Sequence, residues 1–200
     1  MIENKTHSKV EIAAFQQKKS GTNQCGDDYV TIETEACFLC ALADGLGSGE
    51  GAYHSASIAM DTVRKHYDQD MDVILDKCNR ALLHERGVVL TILKVVFDTN
   101  EIIYGNIGNI ETYLFSEEGD MKRPIPAPGY LSGRKFKYRK LSYSMSQGTH
   151  FVMHSDGIKF TRSDQQSVQH MGCPRTAIKH FAEKAQRQND DITVIIGYIT

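Results

Sequence analysis

Ala36-Cys37-Phe38-Leu39-Cys40-Ala41-Leu42-Ala43 is a run of eight apolar residues that ends in Asp44-Gly45-Leu46-Gly47-Ser48-Gly49. A run of this length with no polar face reads as a strand covered on both sides, and therefore central. Downstream, Ala52 to Tyr67 sets Ala56, Ala59, Met60, Val63 and Tyr67 at helical spacing. Met71 to His84 repeats that pattern with Met71, Ile74, Leu75, Cys78 and Leu82. Upstream, Val10 to Phe15 and Tyr29 to Thr34 read as short strands. Two helices in succession between blocks of strands break any repeating βαβ order.

The second block reads as strands over Val88 to Phe97, Glu101 to Ile107 and Ile110 to Ser116, with hairpin-type turns at Asp98-Thr99-Asn100 and Glu117-Glu118-Gly119-Asp120. Tyr138 to Met145 and Thr149 to His154 read as a further strand pair. Pro174 opens a helix through Ile178, Phe181, Ala182 and Ala185. Ile192 to Ile199 closes the chain as a strand, with Ile192, Val194, Ile196 and Tyr198 on one face. Tight turns pair strands antiparallel, so the expected class is α+β, a sandwich of mostly antiparallel sheets flanked by helices.

The chain has 200 residues, 40% of them hydrophobic and 24% charged, with a net charge of −2. That is one ordinary domain with enough apolar content for a core. The charge balance argues against nucleic acid as a partner, since that needs a basic footprint. Val88 to Phe97, the longest apolar stretch, is interrupted by Lys94 and is too short to span a bilayer. Met1-Ile2-Glu3-Asn4-Lys5 has no signal-peptide core. Five cysteines in no scaffold spacing fit a reduced, cytoplasmic setting. A monomer with no membrane partner is expected.

Four acidic residues share one context, a strand end or the loop beside it. They are Asp27 in Cys25-Gly26-Asp27-Asp28, Asp44 before Gly45, Asp156 in His154-Ser155-Asp156-Gly157, and Asp190 in Asn189-Asp190-Asp191-Ile192-Thr193. In an antiparallel sandwich such ends can meet at one edge. Two carboxylates roughly 4 Å apart repel by about 4 kcal/mol at an effective dielectric near 20. Gathering four would oppose folding unless divalent cations reverse the sign. Oxygen-only ligands select hard cations, Mg²⁺ or Mn²⁺. Two such ions about 3.5–4 Å apart can ionise a bridging water for in-line attack on a phosphoester, with no protein nucleophile. Any one Asp-Gly pair is more commonly an ordinary turn; the combination is what points to chemistry.

Ala43-Asp44-Gly45-Leu46-Gly47-Ser48-Gly49, Ser155-Asp156-Gly157 and Asp190-Asp191-Ile192-Thr193 resemble three motifs of the metal-dependent protein phosphatase 2C superfamily. They look closest to its bacterial regulator branch, which includes the SpoIIE and RsbU phosphatases. Arg86-Gly87 and Pro128-Gly129-Tyr130-Leu131-Ser132-Gly133 are similar to the stand-alone, RsbX-type members. The resemblance runs from about Cys25 to the C-terminus. It implies a four-layer α-β-β-α sandwich over a single catalytic domain, residues 1–200. It also implies a serine/threonine phosphatase acting on phosphorylated STAS-domain scaffold proteins of the stressosome in bacterial stress signalling. Asp44, Asp156 and Asp190 match the family's metal-binding aspartates, Gly45 would offer its carbonyl, and Asp27 matches an early acidic ligand that often acts through water. Asp191 is the weaker member of its pair. With no sensor segment before the motifs, a unit that resets its partners is expected.

Three positions depart from relatives. Leu46 replaces a histidine proposed as proton donor, Thr22 stands where an arginine would grip substrate phosphate, and Asn109 replaces an aspartate tied to a third metal.

Other readings compete. Gly47-Ser48-Gly49-Glu50-Gly51-Ala52 fits a dinucleotide loop formally, but Asp44 and Glu50 would repel a pyrophosphate. Cys37 and Cys40 look like half a zinc site, yet residues three apart on a strand face opposite ways. His54 and His154 lie near the motifs as candidate proton carriers, although most histidines simply pack. Arg134-Lys135-Phe136-Lys137-Tyr138-Arg139-Lys140 is either a solvated edge or a steering patch for an acidic phosphoprotein. A non-catalytic phosphoprotein-binding module and a small-molecule phosphatase are the alternative functions.

Overall fold

A computed structural model describes residues 1–169 and 173–200. Five strands form one sheet in the order β3 (Asp27–Glu33), β4 (Cys37–Gly45), β5 (Val88–Val96), β6 (Glu101–Ile107) and β9 (Arg139–Ser144). The other sheet runs β1 (Ile2–Thr6), β2 (Val10–Gln17), β11 (Ile192–Ile199), β10 (His150–His154), β7 (Glu111–Phe115) and β8 (Met121–Lys122). Every strand pairing among the described residues is antiparallel.

Side-chain alternation along β4 generates the layering. Leu39, Ala41 and Ala43 face one way, into a core shared with α1 (Glu50–His66) and α2 (Met71–Ala81) through Ala56, Met60, Val63, Ile74 and Leu75. Phe38, Cys40 and Leu42 face the other way, against Ile12, Ala14, Phe151, Met153 and Ile195 of the second sheet. A third cluster joins that sheet's outer face, through Phe15, Val152, Ile192, Val194 and Ile196, to Ile178, Phe181 and Ala185 of α4 (Pro174–Ala185). Helix, sheet, sheet, helix is the expected four-layer sandwich. Phe38 is fully buried beside Phe151, with ring centroids 6.1 Å apart. Truncating such a residue to alanine typically costs about 3–5 kcal/mol.

Three expectations change. The segments near Tyr138 and Thr149 do not pair with each other: β9 pairs with β6 in one sheet, and β10 with β7 and β11 in the other. The chain also switches sheets between β6 and β7, at Gly108-Asn109. Three elements were not anticipated, β1, the two-residue β8 and α3 (Arg162–Gln169). The dinucleotide reading fails because β5 returns antiparallel to β4 after α1 and α2, which leaves no parallel crossover.

Cys37 and Cys40 are free thiols. Cys37 lies beside Thr34, with Sγ 3.6 Å from Oγ1, while Cys40 is sealed between the sheets. Among the described residues, no helix is long and apolar enough to cross a membrane.

Candidate active site

The two sheets meet at one edge in a cleft of about 740 Å³. Asp44, Gly45, Asp156, Asp190 and Asp191 line it, together with Lys19, Asn109 and Glu111. Asp27 lies beneath, directly opposite Asp44 in the β3–β4 register. The four aspartates singled out from sequence thus converge from both sheets.

Close approach requires glycine at two positions. A Cβ on Gly45 would sit 2.0 Å from the Ala52 carbonyl oxygen of α1, and one on Gly157 would sit 2.3 Å from that of Asp191. Neither glycine has a positive φ. Both are there because another backbone passes against them, rather than for a tight turn. Gly45 N–H donates to the Gly26 carbonyl (3.1 Å) and Leu46 N–H to that of Gly87 (3.0 Å), which ties the glycine loop to its neighbours.

Asp27 is 2% exposed, and neither carboxylate oxygen has a hydrogen-bond partner. Burial pushes its pKa up; the nearby Ser155 and Thr193 hydroxyls oppose that, while Asp191 and Asp156 add to it. Burial likewise raises Asp44, followed by the charges of Asp27, Asp156, Asp191 and Asp190. An unpaired buried carboxylate facing other carboxylates is unfavourable unless cationic charge joins it. Gln16 holds the base of the cleft across the two sheets. Its Nε2 donates to the Asp27 carbonyl (3.0 Å) and to Thr193 Oγ1 (3.3 Å).

The other acids differ in their engagement. Asp156 is exposed, and its Oδ2 accepts from Asn109 Nδ2 at 2.8 Å. Asp190 lies just before β11, with Oδ1 3.4 Å from Lys19 Nζ. Asp191 is nearly buried, and its Oδ1 accepts from the Lys19 N–H at 2.9 Å. Asp190 and Asp191 thus both line the cleft, and Asp191 also braces the loop after β2.

All these donors are oxygens, the set that suits Mg²⁺ or Mn²⁺. Among the described residues, no three His, Cys, Asp or Glu side chains form a ready-made chelating group. A coordination shell here needs backbone carbonyl and solvent oxygens as well. The unpartnered oxygens of Asp27 and the five acids at one edge fit divalent cations on charge and donor type.

Two histidine readings end here. His154 is 3% exposed and turned away from the cleft, stacked on Tyr113 (6.0 Å, 13°) and Phe160. Burial lowers its pKa. His54 lies on α1, 3.8 Å from Glu85, outside the cleft lining. Leu46 lines the cleft and packs on the middle core, so that position carries no proton donor. Thr22 caps its own turn through Lys19 O, and Arg86 lies over the glycine loop with Nη1 3.3 Å from Ser48 O. Lys19 and Glu111 line the cleft but were not singled out from the sequence. Their only local signal is that each sits next to a strand end.

Residues 34–198 match the family described as stage II sporulation protein E, SpoIIE. The chain is 30% identical over 202 residues to the phosphoserine phosphatase RsbX of Bacillus subtilis, covering all of both chains. Its structure superposes on that of RsbX in complex with magnesium with a TM-score of 0.91, 29% identity and full coverage of both. A chain described with the bacterial stressosome, as a modular system adapted to control secondary messenger signalling, matches with a TM-score of 0.86 and 25% identity. That match covers 95% of this chain and all of the other. The phosphatase domain of B. subtilis SpoIIE, at 17% identity and a TM-score of 0.81, shares the fold. The chain belongs to the SpoIIE family of the 2C-type phosphatases and is a phosphoprotein phosphatase.

Proposed function

We propose that the cleft hydrolyses phosphoserine and phosphothreonine with two divalent cations, Mg²⁺ or Mn²⁺, held by Asp27, Asp44, Asp156, Asp190 and the Gly45 carbonyl. The observation that carries this is Asp27, a buried carboxylate with no partner, set opposite Asp44 and below a row of further acids. The cations would supply the positive charge that clamps phosphoryl oxygens and the acidity that activates water. The chain's own groups do the rest. Asn109 orients Asp156, and Lys19 offsets part of the Asp190 charge. The closely packed backbones at Gly45 and Gly157 hold the strand ends in place.

As substrates we propose phosphorylated STAS-domain scaffold proteins of a stressosome. The likeness to the RsbX phosphoserine phosphatase and to a stressosome-associated chain supports this. The test is phosphate release from such phosphoproteins and from a small phosphate ester, each with Mn²⁺. Release from both, with the phosphoprotein preferred, is expected. Turnover of the small ester alone would overturn the substrate assignment. Stable binding of phosphoprotein without release would mark a non-catalytic module.

A further inference from the structure

The segment between β8 and β9 returns past the cleft as a strap, and its backbone is pinned at three places. Ala127 donates to Asn106 Oδ1 (2.7 Å) and accepts from Gly108 N–H (2.7 Å). Leu131 exchanges both backbone bonds with Val88, at 2.8 and 3.0 Å. The Asn79 amide of α2 accepts from Ser132 and Gly133 N–H (3.1 and 3.0 Å) and donates to the Arg134 carbonyl (2.9 Å). Phe136 and Tyr138 then turn inward onto the helix-side core.

A strap this firmly fixed still shows unsatisfied side chains to solvent. Tyr130 is 45% exposed. Arg134, Lys135 and Lys137 are exposed and have no ion-pair partner among the described residues. The carboxylate of Asp72 is already taken by Lys140 and Tyr138. Tyr130, the three cations and Phe136 line a groove of about 290 Å³, and Pro128 and Gly129 line both this groove and the acidic cleft. One continuous surface thus changes sign, from five carboxylates to three free cations.

We propose that this groove docks an acidic segment of the phosphoprotein next to its phosphoserine, with Tyr130 offering apolar contact. The inference rests on the phosphatase reading of the cleft and adds the substrate class. Charge complementarity sets the choice: a peptide extended from the cleft meets Arg134, Lys135 and Lys137, with no free carboxylate among residues 126–137 to oppose an acidic chain. Rim cations of this kind act mainly on encounter and weaken with salt.

The experiment compares kcat/KM, with Mn²⁺, for phosphoserine peptides flanked by aspartates, by neutral residues or by lysines, and for p-nitrophenyl phosphate. At low salt the acidic peptide should lead the neutral one by about 10-fold, and the lead should shrink at high ionic strength. K135E/K137E should abolish or reverse that order, and K135Q/K137Q should reduce it. Both should leave p-nitrophenyl phosphate turnover unchanged, because neither lysine lines the cleft. Absence of a flank preference, a preference untouched by K135E/K137E, or a parallel fall on p-nitrophenyl phosphate in both variants would overturn the proposal. So would binding of DNA or anionic vesicles through these lysines with no flank preference. Failure of the wild type on every substrate would instead break the phosphatase reading on which the proposal rests.

Discussion

Asp27 and Asp164 are both sealed from solvent, at 2% and 1% exposure, yet their surroundings are opposite. Asp164 lies shallow but covered, where α3 meets α4. Burial pushes its carboxyl up, but Lys184, Thr161 and His180 outweigh that and hold the pKa at about 2. His180 Nε2 stands 2.7 Å from Oδ1, the Thr161 N–H donates to Oδ2 at 2.6 Å, and Lys184 Nζ also reaches Oδ2. Asp27 has no cation and no well-formed hydrogen bond on either oxygen, only the nearby Ser155 and Thr193 hydroxyls, and it faces other acids. A carboxylate that serves the fold is paired by the fold. One that is left unpaired, at a strand end among like charges, is set aside for a ligand.

The largest test of this contrast is Asp44→Asn or Asp156→Asn. Each should lower kcat/KM on a phosphoprotein by at least about 1,000-fold, roughly 4 kcal/mol, while circular dichroism stays native. Near-full activity at saturating Mn²⁺ in either variant would remove that residue from the ligand set. Asp164→Ala should do the reverse. Removing the carboxylate that Lys184, Thr161 and His180 engage costs about 2 kcal/mol, a fall of roughly 4–8 °C in melting temperature, with kcat little changed. An unchanged melting temperature would show that the cluster is not structural.

Acid titration of the chelated protein separates the two sites by sign. Asp164 has a lowered folded pKa, so its stabilisation is present above about pH 4 and is lost as pH falls toward about 2. Asp27 and Asp44 have raised folded values, so theirs is present in acid and is lost as pH rises toward neutrality. Melting temperature against pH should therefore fall on both limbs. Asp164→Ala should flatten the acid limb, and Asp27→Asn the neutral one. A profile that Asp27→Asn leaves unaltered would contradict the repulsion assigned to the apo cleft. The smallest expected effect is that of Asp27→Asn at neutral pH. It should stabilise the chelated protein by about 1 kcal/mol, because it removes one buried charge from a like-charged group.

Much of this was legible in the sequence because periodicity and burial coincide. The residues of β4 from Cys37 to Ala43 are apolar on both faces and lie between two cores, and α1 and α2 show their buried stripes plainly. β1 was not visible, since Ile2-Glu3-Asn4-Lys5-Thr6 is a polar edge strand with no buried face. α3 hid for a similar reason, as only Asp164 and Val168 are buried along it. The expected pairing of β9 with β10 fails because the short Ser146-Gln147-Gly148 connection carries the chain from one sheet to the other. Within the site, Asp44 and Asp156 were readable from the glycines that follow them, and Asp27 and Asp190 from their places beside strand ends. Lys19, Glu111 and the support that Asn109 gives Asp156 depend on sheet packing, and local sequence does not encode that. His154 misled because it is the last residue of β10 and packs into the aromatic stack, whereas Asp156 lies beyond the strand end and lines the cleft.

The central question is whether the acids at this edge form a cation site. Calorimetric titration of Mn²⁺ into the chelated wild type and into Asp44→Asn tests that most directly, independent of any substrate. About two ions bound per chain in the wild type, with most of that binding lost in Asp44→Asn, is the predicted result. Absence of binding to the wild type, or equal binding to both proteins, would contradict it.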